Sequence, residues 1–307
     1  IADFTKAIEL DPGYAWAYGC RGDAKQAKGD FDGAIGDYTK AIELKPDYAD
    51  AYGCRGQAKE FKGDLDGVIA DCTKAIELRP NYAEAYGARG NAKEDKGDLD
   101  GAIADYTKTI ELKPGSEGAY TGRGMAKQAK GDAAGALGDY NKALELNPKD
   151  VGALDNRGSL RYDAHDFANA LADFRKVLEL YSSIDFPRFR VWLIRARLGE
   201  TEAATSELQT YLAGRTTGKP DDRASKVGHF LTGQLSELEF LAAAKDADQK
   251  TEASKLCQAY FYAGSKRLLA GDKATATDYF QKSIATDKKI STEYTSAAAE
   301  LKSLKAQ

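Results

Sequence analysis

The sequence predicts an all-α protein, a right-handed α-solenoid of stacked antiparallel helix hairpins. Two observations predict it. The segment KGDFDGAIGDYTKAIELKPDYADAYGCRG, starting at Lys28, returns in edited form at Lys62, Lys96 and Lys130, and Pro12, Pro46, Pro80, Pro114 and Pro148 are spaced by 34 residues. A fixed period of that size marks a stacked repeat of two-helix units. Within each copy, small residues stand at fixed offsets from large ones, the pattern of two closely packed helices.

We number positions in each unit so that Ala15 is position 1 and Pro46 is position 32. The first helix covers roughly positions 1–14 and ends at Gly29, Gly63, Gly97 or Gly131, each followed by Asp. Glycine accepts the left-handed conformation that closes a helix. The second helix covers roughly positions 18–31, and the proline stops it. Gly22, Gly56, Gly90, Gly124 and Gly158 (position 8) allow close approach, as do Ala34, Ala102, Ala136 and Ala170 (position 20, with Val68 once). Tyr38, Tyr106, Tyr140 and Phe174 are the large knobs at position 24, where Cys72 stands in the second unit.

The aromatic at 4, Gly at 8, Ala at 20, aromatic at 24, Ala at 27 and Pro at 32 together resemble the tetratricopeptide repeat. The resemblance is close over 1–180 and implies a protein-interaction scaffold. In order, residues 1–14 read as the second helix of a repeat whose first helix is missing, which makes the chain look like a fragment. Residues 15–184 read as five units and 185–218 as a degenerate one. Residues 219–252 read as a linker and an atypical helix pair, with Ser236 and Glu239 as a capping box and 213–223 as exposed linker. A late unit spans 253–288 and a closing helix 289–307. The C-terminal third is similar to bacterial envelope lipoproteins of the NlpI type, on Phe230, Gly233, Leu235, Ser236, Glu237, Phe261, Gly264, Gly271, Asp272 and Phe280. That likeness would imply an envelope or periplasmic adaptor, often a homodimer.

The family usually has an aromatic at position 11. Here Lys25, Lys59, Lys93 and Lys127 stand there, with Arg21, Arg55, Arg89, Arg123 and Arg157 at position 7 and Asp37, Asp71, Asp105, Asp139 and Asp173 at position 23. We expect a ladder of ion pairs between the paired helices. Tyr14, Tyr48 and Tyr82 (position 34) are expected to pack between repeats.

Positions 2, 5, 6, 9, 12 and 13 lie opposite the packing stripe. They form the concave wall, and they diverge between copies. The candidate peptide-binding residues there are Trp16, Asp23, Asp50, Gln57, Glu60, Phe61, Glu84, Asn91, Glu94, Asp95 and Met125. Six of the wall residues are acidic and none is basic; Asp155 and Asp163 extend the series into the next unit. Chaperone-tail binders of this family grip a terminal carboxylate with Lys, Asn and Arg. The matching positions here, Gly19, Asp23, Cys54, Glu84 and Ala88, lack that clamp. Phosphate and nucleic acid are disfavoured for the same reason. Gly and Ala at positions 5 and 6 leave room for a neutral or basic extended peptide. Two readings stay open: a peptide groove, or acidic residues that only keep an empty groove soluble. A third possibility is a structural module that self-associates, for instance as a homodimer through Ile1, Phe4, Ala7 and Ile8 of residues 1–12.

Bulk properties agree with a soluble helical scaffold. The 307 residues are 42% hydrophobic and 30% charged, with net charge −4. No global field recruits nucleic acid, and no apolar run approaches the ~18 residues of a membrane span. Cys20 and Cys54 occupy one position in adjacent repeats, on helices about 9–10 Å apart, too far for a disulfide. Neither His165, in a turn, nor His229 has a catalytic partner at a useful spacing. Gly118, Gly122 and Gly124 fall inside a helix without a preceding strand, so they are no nucleotide fingerprint. No cofactor, metal or enzymatic activity is expected.

Overall fold

The computed structural model describes residues 1–215, 222–288 and 291–306. Every element among them is an α-helix. The chain divides into two units, Ile1–Pro148 and Lys149–Gln307.

The first unit opens with α1 (Ala2–Leu10), followed by four hairpins. These are α2 (Ala15–Gln26) with α3 (Phe31–Leu44), α4 (Ala49–Phe61) with α5 (Leu65–Leu78), α6 (Ala83–Asp95) with α7 (Leu99–Leu112), and α8 (Glu117–Ala129) with α9 (Ala133–Leu146). Each hairpin packs on the next through its second helix, and the first helices α2, α4, α6 and α8 touch in succession. This is a helical solenoid. The first helix ends at a glycine with positive φ, between 73° and 86° in the four copies. The following Asp has a second role that its place in the turn did not reveal. Asp30, Asp64, Asp98 and Asp132 each accept the backbone N–H three residues on and so cap the second helix.

The small-opposite-large pattern is steric. A Cβ at Gly22 would lie 2.7 Å from the Tyr38 ring, and at Gly124 2.6 Å from Tyr140. The ion-pair ladder is present in all four of these hairpins. Arg89 Nε and Nη2 donate to the two oxygens of Asp105 at 2.9 and 2.7 Å, and Lys93 reaches the same carboxylate at 2.8 Å. In the second unit Arg161 takes the lysine's place beside Asp173, at 2.6 Å. These aspartates are 3–5% exposed. Burial alone would raise the Asp37 carboxyl, but hydrogen bonds from Arg21 and Lys25 outweigh it and hold the group below its usual range. The ladder also joins neighbouring hairpins: Arg55, Arg89 and Arg123 donate from Nη1 to Thr39, Thr73 and Thr107 at 3.0–3.1 Å.

The second unit begins with the hairpin α10 (Val151–Asp163) and α11 (Phe167–Leu180), then α12 (Phe186–Arg197) and α13 (Thr201–Gly214). The short helices α14 (Arg223–Leu231) and α15 (Glu237–Ala242) follow, then α16 (Gln249–Leu269), α17 (Lys273–Ala285) and α18 (Thr292–Ala306). Ser236 and Glu239 form the expected capping box on α15. Part of the exposed linker expected at 213–223 is helical instead. Residues 213–214 end α13 and Arg223 starts α14. Arg215 is tied to Asp185 and Asp222 at 2.7 and 2.9 Å. Residues 216–221 lie outside the described residues, as do residues 289, 290 and 307 at the ends of the closing segment. His165 takes a turn with φ 61° and stacks on Phe167.

Asp155 and Asp163 correct the concave-wall reading. They do not line an open wall, because α18 packs against α10 and covers that face. Ser296 of α18 donates to Asp163 at 2.5 Å and accepts from Arg190 at 3.1 Å. Glu300 pairs with Arg197 and lies 3.6 Å from His165. Burial pushes Asp163 up to about 6, against the pull of Arg190 and the Ser296 hydroxyl. A carboxyl raised in the folded state contributes stability that is full below its unfolded value and lost as pH rises through its folded value. The second unit should therefore gain stability as pH falls from about 6 towards 4, by an amount on the order of 2 kcal/mol. Thermal unfolding at pH 7 and pH 5 checks this. Asp163→Asn should flatten the pH response; an unchanged response would refute the assignment.

Candidate peptide-binding groove

The open face of α2, α4, α6 and α8 carries the diverging positions. Three of the tyrosine knobs reach it from behind. Tyr38 donates its hydroxyl to Asp23 at 2.8 Å and Gln26 at 3.2 Å. Tyr106 donates to Asn91 at 2.9 Å and Glu94 at 2.7 Å. Tyr140 donates to Gln128 at 2.8 Å. Burial, reinforced by the neighbouring carboxylates, raises the Tyr38 and Tyr106 hydroxyls, so they remain donors. Burial also raises Glu94, partly offset by the Tyr106 bond.

The wall is less acidic than its own residues imply. Asp50 is held in a two-pronged pair by Arg79 at 2.7 Å, and Glu84 lies 3.4 Å from Lys113. Arg79 and Lys113 stand at position 31, just before the proline, and their side chains turn back onto the first helix of their own hairpin. The period hid this contact, which joins residues 29 apart. Glu60 accepts from Asn91 at 3.3 Å, linking α4 to α6. Asp23 and Asp95 remain exposed, and Gln57 is half-buried.

The apolar candidates divide. Met125 is 42% exposed and faces solvent. Trp16 meets Phe4 edge-on at 6.1 Å and Tyr14 at 5.8 Å. Phe61 stacks on Phe31 at 4.6 Å, so one of its faces is already covered.

The small residues at positions 5 and 6 serve the fold first, which corrects the expectation of room for a peptide backbone. A Cβ at Gly19 would lie 3.2 Å from the Tyr48 hydroxyl, at Gly53 2.8 Å from that of Tyr82, and at Gly122 2.6 Å from the Tyr106 ring. The even recurrence of Tyr48 and Tyr82 is thus inter-repeat packing. At Gly87 no ring comes near; the closest atoms belong to Thr109, at 3.8 Å. An open depression of about 610 Å³ lies there, lined by Gly87, Asn91, Tyr106, Thr109, Ser116 and Gly118, with Glu84 and Lys113 beside them.

Cys20, Cys54, Cys72 and Cys257 are free thiols. Burial pushes Cys54 and Cys72 up to about 12, which keeps both as thiols. Among the described residues, His, Cys, Asp and Glu side chains form no cluster able to hold a metal ion, and no helix is long and apolar enough to cross a membrane.

A solenoid of helix hairpins with an open, residue-diverse wall defines a helical-repeat protein. Family models agree on the kind of repeat. A TPR-repeat model matches residues 22–60, and two tetratricopeptide-repeat models match 83–116 and 121–184. These segments carry tetratricopeptide repeats. The fold is similar to that of the MamA protein, at 27% identity and TM-score 0.50, over 55% of this chain and 92% of that one. It is also similar to YrrB, described as a TPR protein with an unusual peptide-binding site, at 22% identity and TM-score 0.51, over 58% of this chain and 92% of that one. Pseudomonas aeruginosa PilF matches at 15% identity and TM-score 0.59, over 66% of this chain and 93% of that one. No curated protein matches the sequence.

Proposed function

We propose that the protein is an interaction scaffold whose first unit binds neutral or basic extended peptide segments along the face of α2, α4, α6 and α8. The observation that carries this reading is the open depression at Gly87, edged by amide, hydroxyl and carboxylate groups within one wall. Asn91 and Gln57 supply backbone partners, Met125 and the free face of Phe61 supply apolar contact, and Asp23, Glu60 and Asp95 bias the wall against acidic ligands. The ion pairs of Asp50 and Glu84 leave the acidic surface to Asp23, Glu60 and Asp95, towards the C-terminal ends of α2, α4 and α6.

The test is binding to a peptide array graded from acidic to basic, by this chain and by a variant carrying Asp23→Lys, Glu60→Lys and Asp95→Lys. Basic and neutral peptides should bind the parent and lose at least about tenfold in the variant, roughly 1.4 kcal/mol. No binding, or equal binding by both chains, would reject the groove. For the second unit we retain as a proposal the NlpI-type adaptor role, which rests on the residue likeness at Phe230, Gly233 and Phe261 and places it in the bacterial envelope. A homodimer is part of that proposal.

A further inference from the structure

We propose that the depression at Gly87 is a pocket for one aromatic side chain, of tyrosine type, from a bound peptide. The inference rests on the groove reading above and names one residue class within it.

The molecule shows what fits this slot. In the two preceding repeats the same slot is filled from within. The Tyr48 ring lies on Gly19, and the Tyr82 ring lies on Gly53, with ring carbons 3.4 and 2.9 Å from the Cβ positions. Each ring has a cation over its face, supplied three residues earlier: Lys45 is 5.4 Å from the Tyr48 centroid and Arg79 is 4.8 Å from that of Tyr82. The next repeat keeps the glycine and the cation but not the ring, and has Thr109 where the two filled repeats have Ala41 and Ala75. Gly87 is the floor. Lys113 occupies the place of Lys45 and Arg79. Ser116 stands where the tyrosine would be, and its side chain does not cap α8. A serine cannot fill the space a phenol ring fills elsewhere, so the depression stays open.

The chemistry of the lining suits a phenol. Gly87 leaves room for a phenol end against the helix, as Gly19 and Gly53 do. Lys113, paired with Glu84 at 3.4 Å, is within reach to cover the outer ring face. Asn91 and Tyr106 present polar atoms at the inner edge. The ligand we infer is therefore a peptide segment that donates the missing tyrosine to this repeat.

The substitution Ser116→Tyr tests this, because it restores the residue that stands at this position as Tyr14, Tyr48 and Tyr82. The full chain, labelled with nitrogen-15, is titrated with N-acetyltyrosinamide and with N-acetylalaninamide. The tyrosine amide should shift the backbone signals of Gly87, Thr109 and Gly118, and the alanine amide should not. Ser116→Tyr should weaken the response at least tenfold by supplying its own ring, while Ser116→Ala should keep it. Absence of shifts at these residues, or an equal response from Ser116→Tyr, overturns the pocket. The two readings fail separately. If charge-graded peptides bind Ser116→Tyr as well as the parent, the pocket falls and the groove stands. If tyrosinamide binds while no peptide in the array does, the pocket stands and the groove falls.

Discussion

Replacing Asp105 by alanine should lower the stability of the first unit by about 3 kcal/mol or more, read as a shift of the denaturant midpoint. The carboxylate is 4% exposed and accepts from both Arg89 and Lys93. Its loss leaves two cations in a largely buried seam with nothing to oppose them. Their stems pack against the hairpin and cannot reach water without breaking that packing. The effect should not stay local, because Arg89 also donates to Thr73 of the preceding hairpin. In a stack where each repeat contacts only its neighbours, damage at a central seam uncouples both sides. The control is the triple replacement of Arg89, Lys93 and Asp105 by leucine. Removing all the charges together should restore most of the loss, since an apolar seam of similar volume carries no desolvation penalty. If Asp105→Ala alone is neutral, the ladder is a surface feature and the reading is wrong.

Phe261→Ala should be comparably severe in the second unit, at about 3–5 kcal/mol. Phe261 is fully buried, with ring centroids of Tyr262, Phe280 and Tyr162 at 5.2, 6.3 and 6.4 Å. It also does something an aliphatic residue cannot. The buried Arg190 guanidinium lies between two rings, 4.6 Å from Phe261 and 4.9 Å from Tyr162, and its Nη2 has no hydrogen-bond partner. The ring faces provide the electrostatic contact that a buried cation needs. Phe261→Leu keeps most of the volume and loses the face, so it should cost about 1–2 kcal/mol beyond a simple repacking. Equal stability of the leucine variant and the parent would show that Asp163 and Ser296 hold the cation without the ring face.

Both predictions involve charges inside helix packing, and they differ in how readable they were. The Arg–Lys–Asp ladder repeats at fixed positions, so periodicity alone put the three groups on facing helices. Arg190 belongs to no repeat register. Its partners come from α10, α16 and α18, and no spacing links residues 190, 261 and 296. The same division runs through the candidate site. Trp16, Asp23, Glu60, Asn91 and Met125 were placed on one face by helical angle. The neutralising cations Arg79 and Lys113 were not, because they stand just past the ends of α5 and α7, outside the helical faces that the angles describe. The glycines of the wall looked like space for a ligand. Only the positions of Tyr48, Tyr82 and Tyr106 revealed that most of that space is already taken.

What the sequence determined by itself was the hairpin: its period, its glycine and proline boundaries, its small-to-large contacts and its internal ion pairs. Those features depend on residues within one 34-residue unit, where chain geometry fixes which side chains can meet. The tertiary structure decided what happens between units and beyond the repeats. It decided that α18 covers the face of α10, that Asp155 and Asp163 are half-buried, and that Ser116 leaves a ring-sized space where two other repeats are filled. Such contacts depend on how successive hairpins stack and on where a distant helix returns, and local spacing carries no information about either.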